Sequence, residues 1–194
     1  QMCIRDRGAV GITVTIRTSQ PEWDPWNNVA SDWDVTGGVD LVVSRLEVSP
    51  AVVPVTGTMR VTVTVLNQGN QAVDKNVGLL LYLKPHPSSP PSRSGDWDGI
   101  LQACPGEWEG YCFKWVPGLR ANGSFTATFN VSPVAIEPGV YDLYAYVDVG
   151  DSTWGCDNSA GCVSESCEAN NWAGWRGVQI VGGGLRRVFL PLVM

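Results

Sequence analysis

Oxygen-bearing side chains crowd one late stretch of the chain. Asp148, Asp151, Asp157, Glu165, Glu168 and Asn170 fall within 23 residues, around a single polar loop. Calcium takes about six to eight oxygen donors from carboxylates, amides and carbonyls, so this pattern predicts a calcium site. A competing reading is structural: Glu168, Asn170 and Asn171 hydrogen-bond loop backbone and fix the turn into a last strand. An upstream echo at Asn27-Asn28 lacks most of the carboxylates, which favours the structural role for the asparagine pair. No cofactor other than calcium is expected.

Tryptophan is the second chemical signal. Trp97, Trp108, Trp115, Trp154, Trp172 and Trp175 all fall in or beside loops. Flat aromatic faces in polar loops suit stacking on sugar rings, as in carbohydrate-binding modules, or anchoring a protein partner. Trp97, Trp108 and Trp154 are the candidates for such contact, the first two with the strongest expectation of exposure. The alternative is that the indoles cover the ends of a core and pack on disulfides.

Catalytic chemistry is poorly represented. His86 is the only histidine and lies in a proline-rich stretch, and no G-x-S-x-G, H-E-x-x-H or glycine-rich phosphate loop occurs. Carboxylates are plentiful but sit in turns, where Asp and Glu usually cap backbone groups. The expectation is a protein that is not an enzyme. A net charge of −6 and a pI near 4.7 argue against nucleic acid as a partner.

The cysteines point to an oxidising compartment. Cys104, Cys112, Cys156, Cys162 and Cys167 lie in Gly-, Pro- and Ser-rich sequence. Cys104 with Cys112 is the expected first disulfide, and Cys156 with Cys162 the preferred second, leaving Cys167 over or competing. Zinc is the rival, but there is no C-x-x-C pair and His86 is remote.

The elements that must hold these residues are strands. Asp40–Val48, Thr58–Leu66, Val77–Leu83, Phe113–Val116, Ser124–Val131, Val140–Val149 and Asn171–Val181 alternate or run apolar between turn residues. Val61, Val63 and Val65 should share one face, while Phe125, Ala127 and Phe129, and Tyr141, Leu143, Ala145 and Val147, should face inward. Val77–Leu83 is almost wholly apolar, as in a central strand covered on both faces. Asn67-Gln-Gly-Asn70 is turn chemistry, and four prolines in Pro85–Ser94 mark an excursion reaching towards Cys104–Cys112. Seven strands joined by hairpin-length turns predict an all-β, immunoglobulin- or fibronectin-III-like antiparallel sandwich with long disulfide-bearing loops.

Asp40-Leu-Val-Val, Val61-Thr-Val-Thr-Val-Leu-Asn67-Gln-Gly69 and Glu165-x-x-Glu168-x-Asn170-Asn171, in that order, resemble the CARDB family. That resemblance covers roughly residues 39–181. It implies an immunoglobulin-like fold and a cell-adhesion-related role in bacteria. The Pro- and Trp-rich insertion from Pro85 to Cys112 and the expansion from Gly155 to Cys167 depart from the family pattern.

Around that domain three further pieces are expected. Residues 1–7 read as a translated sequencing adaptor. Residues 8–36, ending in an echo of the Asn170-Asn171 stretch, read as the last hairpin of a preceding sandwich repeat. Residues 182–194 read as a glycine hinge with a short apolar tail, too short to span a bilayer. The expected function is a non-catalytic extracellular adhesion or spacer module of a multi-domain surface or secreted protein. Its partners would be other domains of the same chain, a cell-surface protein or a polysaccharide. The alternative is a carbohydrate-binding module of a secreted hydrolase.

Overall fold

Alternating valines need an apolar surface on one side only, and the chain supplies it by facing two sheets. In the computed structural model, which describes residues 38–91, 99–149, 162–165 and 170–182 with the backbone of strands 12–15 and 29–32, the result is a β-sandwich. β1 (Ile12–Thr15) and β2 (Val29–Asp32) pair antiparallel as a separate two-stranded sheet.

One layer of the sandwich has the order β3-β5-β8: β3 (Leu41–Ser49), β5 (Met59–Asn67) and β8 (Ser124–Val131). The other has the order β4-β10-β9-β6-β7, from β4 (Val52–Pro54), β6 (Val77–Pro85), β7 (Phe113–Val116), β9 (Gly139–Val149) and β10 (Trp172–Val181). Val61, Val63, Val65 and Phe129 from the first layer join Leu79, Leu81, Leu143 and Val147 from the second in one core, all fully buried. Each such side chain contributes about 1.5–3 kcal/mol when removed from water.

Two features differ from the seven-strand antiparallel expectation. β4 is an eighth strand, and it runs parallel to β10, pairing Val53 with Ile180. Its three residues follow Ser49-Pro50 too closely to show a period, so only the distant partner reveals them. β10 also carries a bulge between Trp175 and Val178, with Gly177 at φ 77°. Ala173 and Trp175 pack on the core before the bulge, and Val178 and Ile180 after it. The one extra residue on β10 resets the alternation so that both halves of the strand face inward.

The excursion after β6 returns to the sheet sooner than its composition suggests. Leu83 N–H donates to Gly99 O (2.8 Å) and Leu101 N–H to Leu81 O (2.9 Å), so residues 99–101 extend the sheet edge beyond β7. From there the chain loops through a 3-10 turn at Trp108–Gly110 to Cys112, whose carbonyl accepts from Leu81 N–H (3.0 Å). Cys104 and Cys112 form a disulfide with their Cα atoms 5.0 Å apart, buried in the main core rather than at the surface. Ala103 O also accepts from Ser132 N–H (2.7 Å), tying this loop to the end of the opposite layer.

The bridge closes a loop of sequence separation 8, worth about 2.5 kcal/mol of chain entropy. A Cys104→Ala/Cys112→Ala variant is therefore expected to lose about 3 kcal/mol in urea unfolding. A loss below about 1 kcal/mol would show that core packing alone holds the loop.

Candidate functional site

Three turn and loop segments far apart in sequence meet at one end of the sandwich. Asn67 ends β5 and is fully buried. Its Oδ1 accepts from the N–H groups of Asp40 (3.3 Å) and Gly69 (3.1 Å). Its Nδ2 donates to the carbonyls of Gln71 (2.7 Å) and Leu119 (3.1 Å). One carboxamide thus satisfies four backbone groups from three segments, which a turn buried against its neighbours requires. Gly69 is obligatory beside it, because a Cβ there would stand 2.3 Å from Gly38 O.

The stretch before β10 completes the knot. Glu165 forms a parallel bridge with Val39, and its Oε2 accepts from Leu41 N–H. Asn171 Nδ2 donates to Glu165 Oε1 (2.7 Å), while Asn171 O accepts from Val147 N–H (2.9 Å). Asn170 Nδ2 donates to Asp40 Oδ1 (2.9 Å), and Gln68 Nε2 to Asp40 Oδ2 (3.0 Å). Asp40, Glu165 and Asn171 are all buried. The amide oxygens Oδ1 of Asn170 and Asn171 are buried too, and accept no hydrogen bond from the protein.

Of the six residues that sequence grouped around calcium, Asp148, Glu165 and Asn170 lie in the described part. Asp148 stands apart. Its φ is 61°, and its carboxylate accepts from Cys162 N–H (3.0 Å) and Val163 N–H (3.1 Å), clamping the far side of the polar loop. Burial pushes the Asp148 carboxyl above the usual range, against these two N–H groups and Lys75, which pull it down. Glu165 and Asn170 belong to the knot. Asp151, Asp157 and Glu168 lie outside the described residues. Among the described residues no three His, Cys, Asp or Glu side chains gather around one point. Cys162 is disulfide-bonded, while Cys156 and Cys167 lie outside the described residues.

A second polar centre escaped the sequence reading. Asp142 on β9 is fully buried on the outer side of the five-stranded sheet. Its Oδ1 meets His86 Nδ1 (2.8 Å) and accepts from Gly177 N–H (3.3 Å) in the β10 bulge. Its Oδ2 accepts from Ser88 N–H (2.8 Å) and Ser88 Oγ–H (3.1 Å). Serine, histidine and aspartate meet, but not as a nucleophile and base. Hydroxyl and imidazole both turn onto the carboxylate, so the ring does not activate the serine. Burial alone would raise the Asp142 pKa. The His86 hydrogen bond, the two bonds from Ser88 and the His86 charge outweigh it and hold the carboxyl below its usual range.

The outer face carrying Asp142 is itself a second core. Leu80, Tyr82, Phe113, Tyr144, Tyr146 and Val149 pack there, with Ile100, Tyr111 and Trp172 against them. Tyr144 meets Trp172 edge-on (6.0 Å), and Tyr144 O–H donates to Ser88 O (2.9 Å). Of the sequence's tryptophan candidates, Trp97 and Trp154 lie outside the described residues, as does the side chain of Trp108. Among the described tryptophans, Trp115 on the edge strand β7 is exposed, at 47 %, standing edge-on to Phe113 at 5.0 Å.

Fold and site together define a class: an all-β, two-layer sandwich whose polar side chains join loops to strands. Among solved structures, the chain is similar to the CARDB domain of a Pyrococcus furiosus protein in complex with di-metal ions. That match has 23 % identity and a TM-score of 0.48, over 74 % of this chain and 90 % of that one. It is also similar to a domain of a Methanosarcina acetivorans protein described as a cell-surface protein, at 21 % identity and a TM-score of 0.44. Coverage there is 74 % of this chain and 92 % of the other. A Listeria innocua β-glucosidase matches at 18 % identity and a TM-score of 0.39, over 75 % of this chain but 16 % of the enzyme. No protein-family profile matches, and no curated protein matches.

Asp142 makes a testable pH dependence. A depressed folded pKa contributes stability that is complete above the unfolded value near 3.8 and is lost as pH falls through the folded one. Asp148 acts with the opposite sign, so the Asp142→Asn variant isolates the effect. It is expected to be about 1–3 kcal/mol less stable than wild type at neutral pH. The gap should narrow below about pH 4 in urea titrations. A gap that stays constant with pH would contradict the assignment.

Proposed function

We propose that the chain is a non-catalytic extracellular module of a multi-domain surface or secreted protein, working in adhesion or as a spacer. It acts by protein contact or by presenting the domains beside it. The observation that carries this reading is the use made of its polar residues. Asn67, Asp40, Glu165, Asn170 and Asn171 join the first and last strands of the sandwich, and Asp142 with His86 and Ser88 fastens the insertion. These bonds fix relative positions of chain segments, which is what a module that transmits load or holds spacing requires. The Cys104–Cys112 disulfide and the disulfide-bonded Cys162 support an oxidising compartment outside the cytoplasm. Among the described residues, no helix is long and apolar enough to cross a membrane.

Trp115 favours a second reading, a carbohydrate-binding module, because it offers an aromatic face on an edge strand. Retention of the full chain on insoluble polysaccharides separates the two, with Trp97→Ala, Trp108→Ala and Trp115→Ala as variants. The adhesion or spacer reading expects no retention, with or without calcium. Retention that disappears in any of these variants would replace it with the carbohydrate module.

A further inference from the structure

The knot at the end of the sandwich holds more oxygen than it has donors for. Asp40 is 2 % exposed, and its carboxylate meets only two neutral amide groups, those of Asn170 and Gln68. A buried carboxylate facing neutral partners is costly, and each of its oxygens keeps a lone pair beyond the bond it accepts. Asn171 is also 2 % exposed, and its Oδ1 is buried without a hydrogen-bond donor, as is Oδ1 of Asn170. An amide oxygen left this way loses about 1–3 kcal/mol relative to its hydrated state.

The positions of these leftover oxygens are constrained. The two amide nitrogens are fixed on Asp40 Oδ1 and Glu165 Oε1, and each amide oxygen shares a carbon with its nitrogen. Each therefore lies within one hydrogen bond plus one amide width of a carboxylate. The two carboxylates are neighbours in turn: Glu165 Oε2 accepts from Leu41 N–H, the residue after Asp40. Two carboxylates and two carboxamides thus belong to one hydrogen-bonded network where β3 begins and the chain turns into β10.

We infer that this is a site for one hard divalent cation, calcium above all, held by Asp40, Glu165, Asn170 Oδ1 and Asn171 Oδ1. An all-oxygen donor set of mixed carboxylate and amide character suits calcium, while zinc prefers nitrogen and sulfur. The cation balances the Asp40 charge and takes up both stranded amide oxygens in one step. Asp148 is not part of the site, because its carboxylate is bonded to the Cys162 and Val163 N–H groups and to none of these four residues. The site differs from the loop-wide carboxylate set by centring on Asp40 and Asn171, one from each end of the sandwich sequence.

Binding to the folded chain alone stabilises it by mass action, so calcium should raise the melting temperature. The test is a calorimetric titration of EDTA-stripped full-length chain with calcium chloride and with magnesium chloride, alongside thermal unfolding. One equivalent of calcium is expected, with weaker magnesium binding and a melting temperature that climbs with calcium. Asp40→Asn should weaken calcium about tenfold or more. Asn170→Asp, which places a charge where the amide oxygen stands, should tighten it while destabilising the calcium-free chain. Should Asp40→Asn not fold, the Asn170→Asp comparison still decides. Absence of heat and of any melting shift up to millimolar calcium would overturn the site, leaving a buried water as the partner of these oxygens. An equivalent bound with the same affinity in both variants would also overturn it, moving the ion to the loop carboxylates.

Discussion

The Asn67 carboxamide is the interaction on which the sandwich end depends. A turn between two layers must bury backbone N–H and C=O groups that no strand ladder satisfies, and each left unpaired would cost about 1–3 kcal/mol. Asn67 meets four of them with one planar group, drawing in Asp40, Gly69, Gln71 and Leu119. No other residue type of that length offers both an acceptor and two donors. Once those segments are fixed, Asp40 and Leu41 stand where the Glu165 to Asn171 stretch can dock, and β10 enters the sheet in one register.

The opposite feature is the insertion between β6 and β7, which adds a second core to a fold that would otherwise leave one sheet face to solvent. Antiparallel sheets commonly show water one face. Here the outer face is aromatic, and the segments following β6 fold back over it: Asp142 seizes His86 and Ser88, Tyr82 bridges to Ile100, and Cys104 joins Cys112 beneath. A buried carboxylate, a sheet bridge and a disulfide act in sequence along one excursion. The described parts of the insertion are thereby tied to the sandwich, and Trp115 is exposed on β7.

Much of this fold was legible because strand periodicity is local. Val61, Val63 and Val65 announced their buried face directly, and the unbroken apolar run of β6 announced burial on both sides. β4 was not legible, since three residues carry no period and their parallel partner is the last strand. Asp142 carried no signal of its own in the alternating run of β9. Its partners are 54 and 56 residues away in sequence, so only the folded sheet brings them together. In the acidic loop, residues close along the chain have different partners: Asp148 holds Cys162 and Val163, whereas Glu165 and Asn170 join Asp40, Leu41 and Asn171 in the knot. Of the motif residues quoted for the CARDB resemblance, Asp40, Leu41, Asn67, Gln68, Gly69, Glu165, Asn170 and Asn171 are joined by hydrogen bonds.

The account's central claim is that the knot is one cooperative unit linking the first and last strands. Native-state amide hydrogen exchange at Leu41, Gly69 and Val147, compared between wild type and Asn67→Ala, tests it most directly. The account predicts that the three amides open together, and that the substitution lowers their protection by a common factor although Val147 touches no atom of Asn67. Loss of protection at Gly69 alone, with Leu41 and Val147 unchanged, would contradict it and reduce Asn67 to a local turn residue.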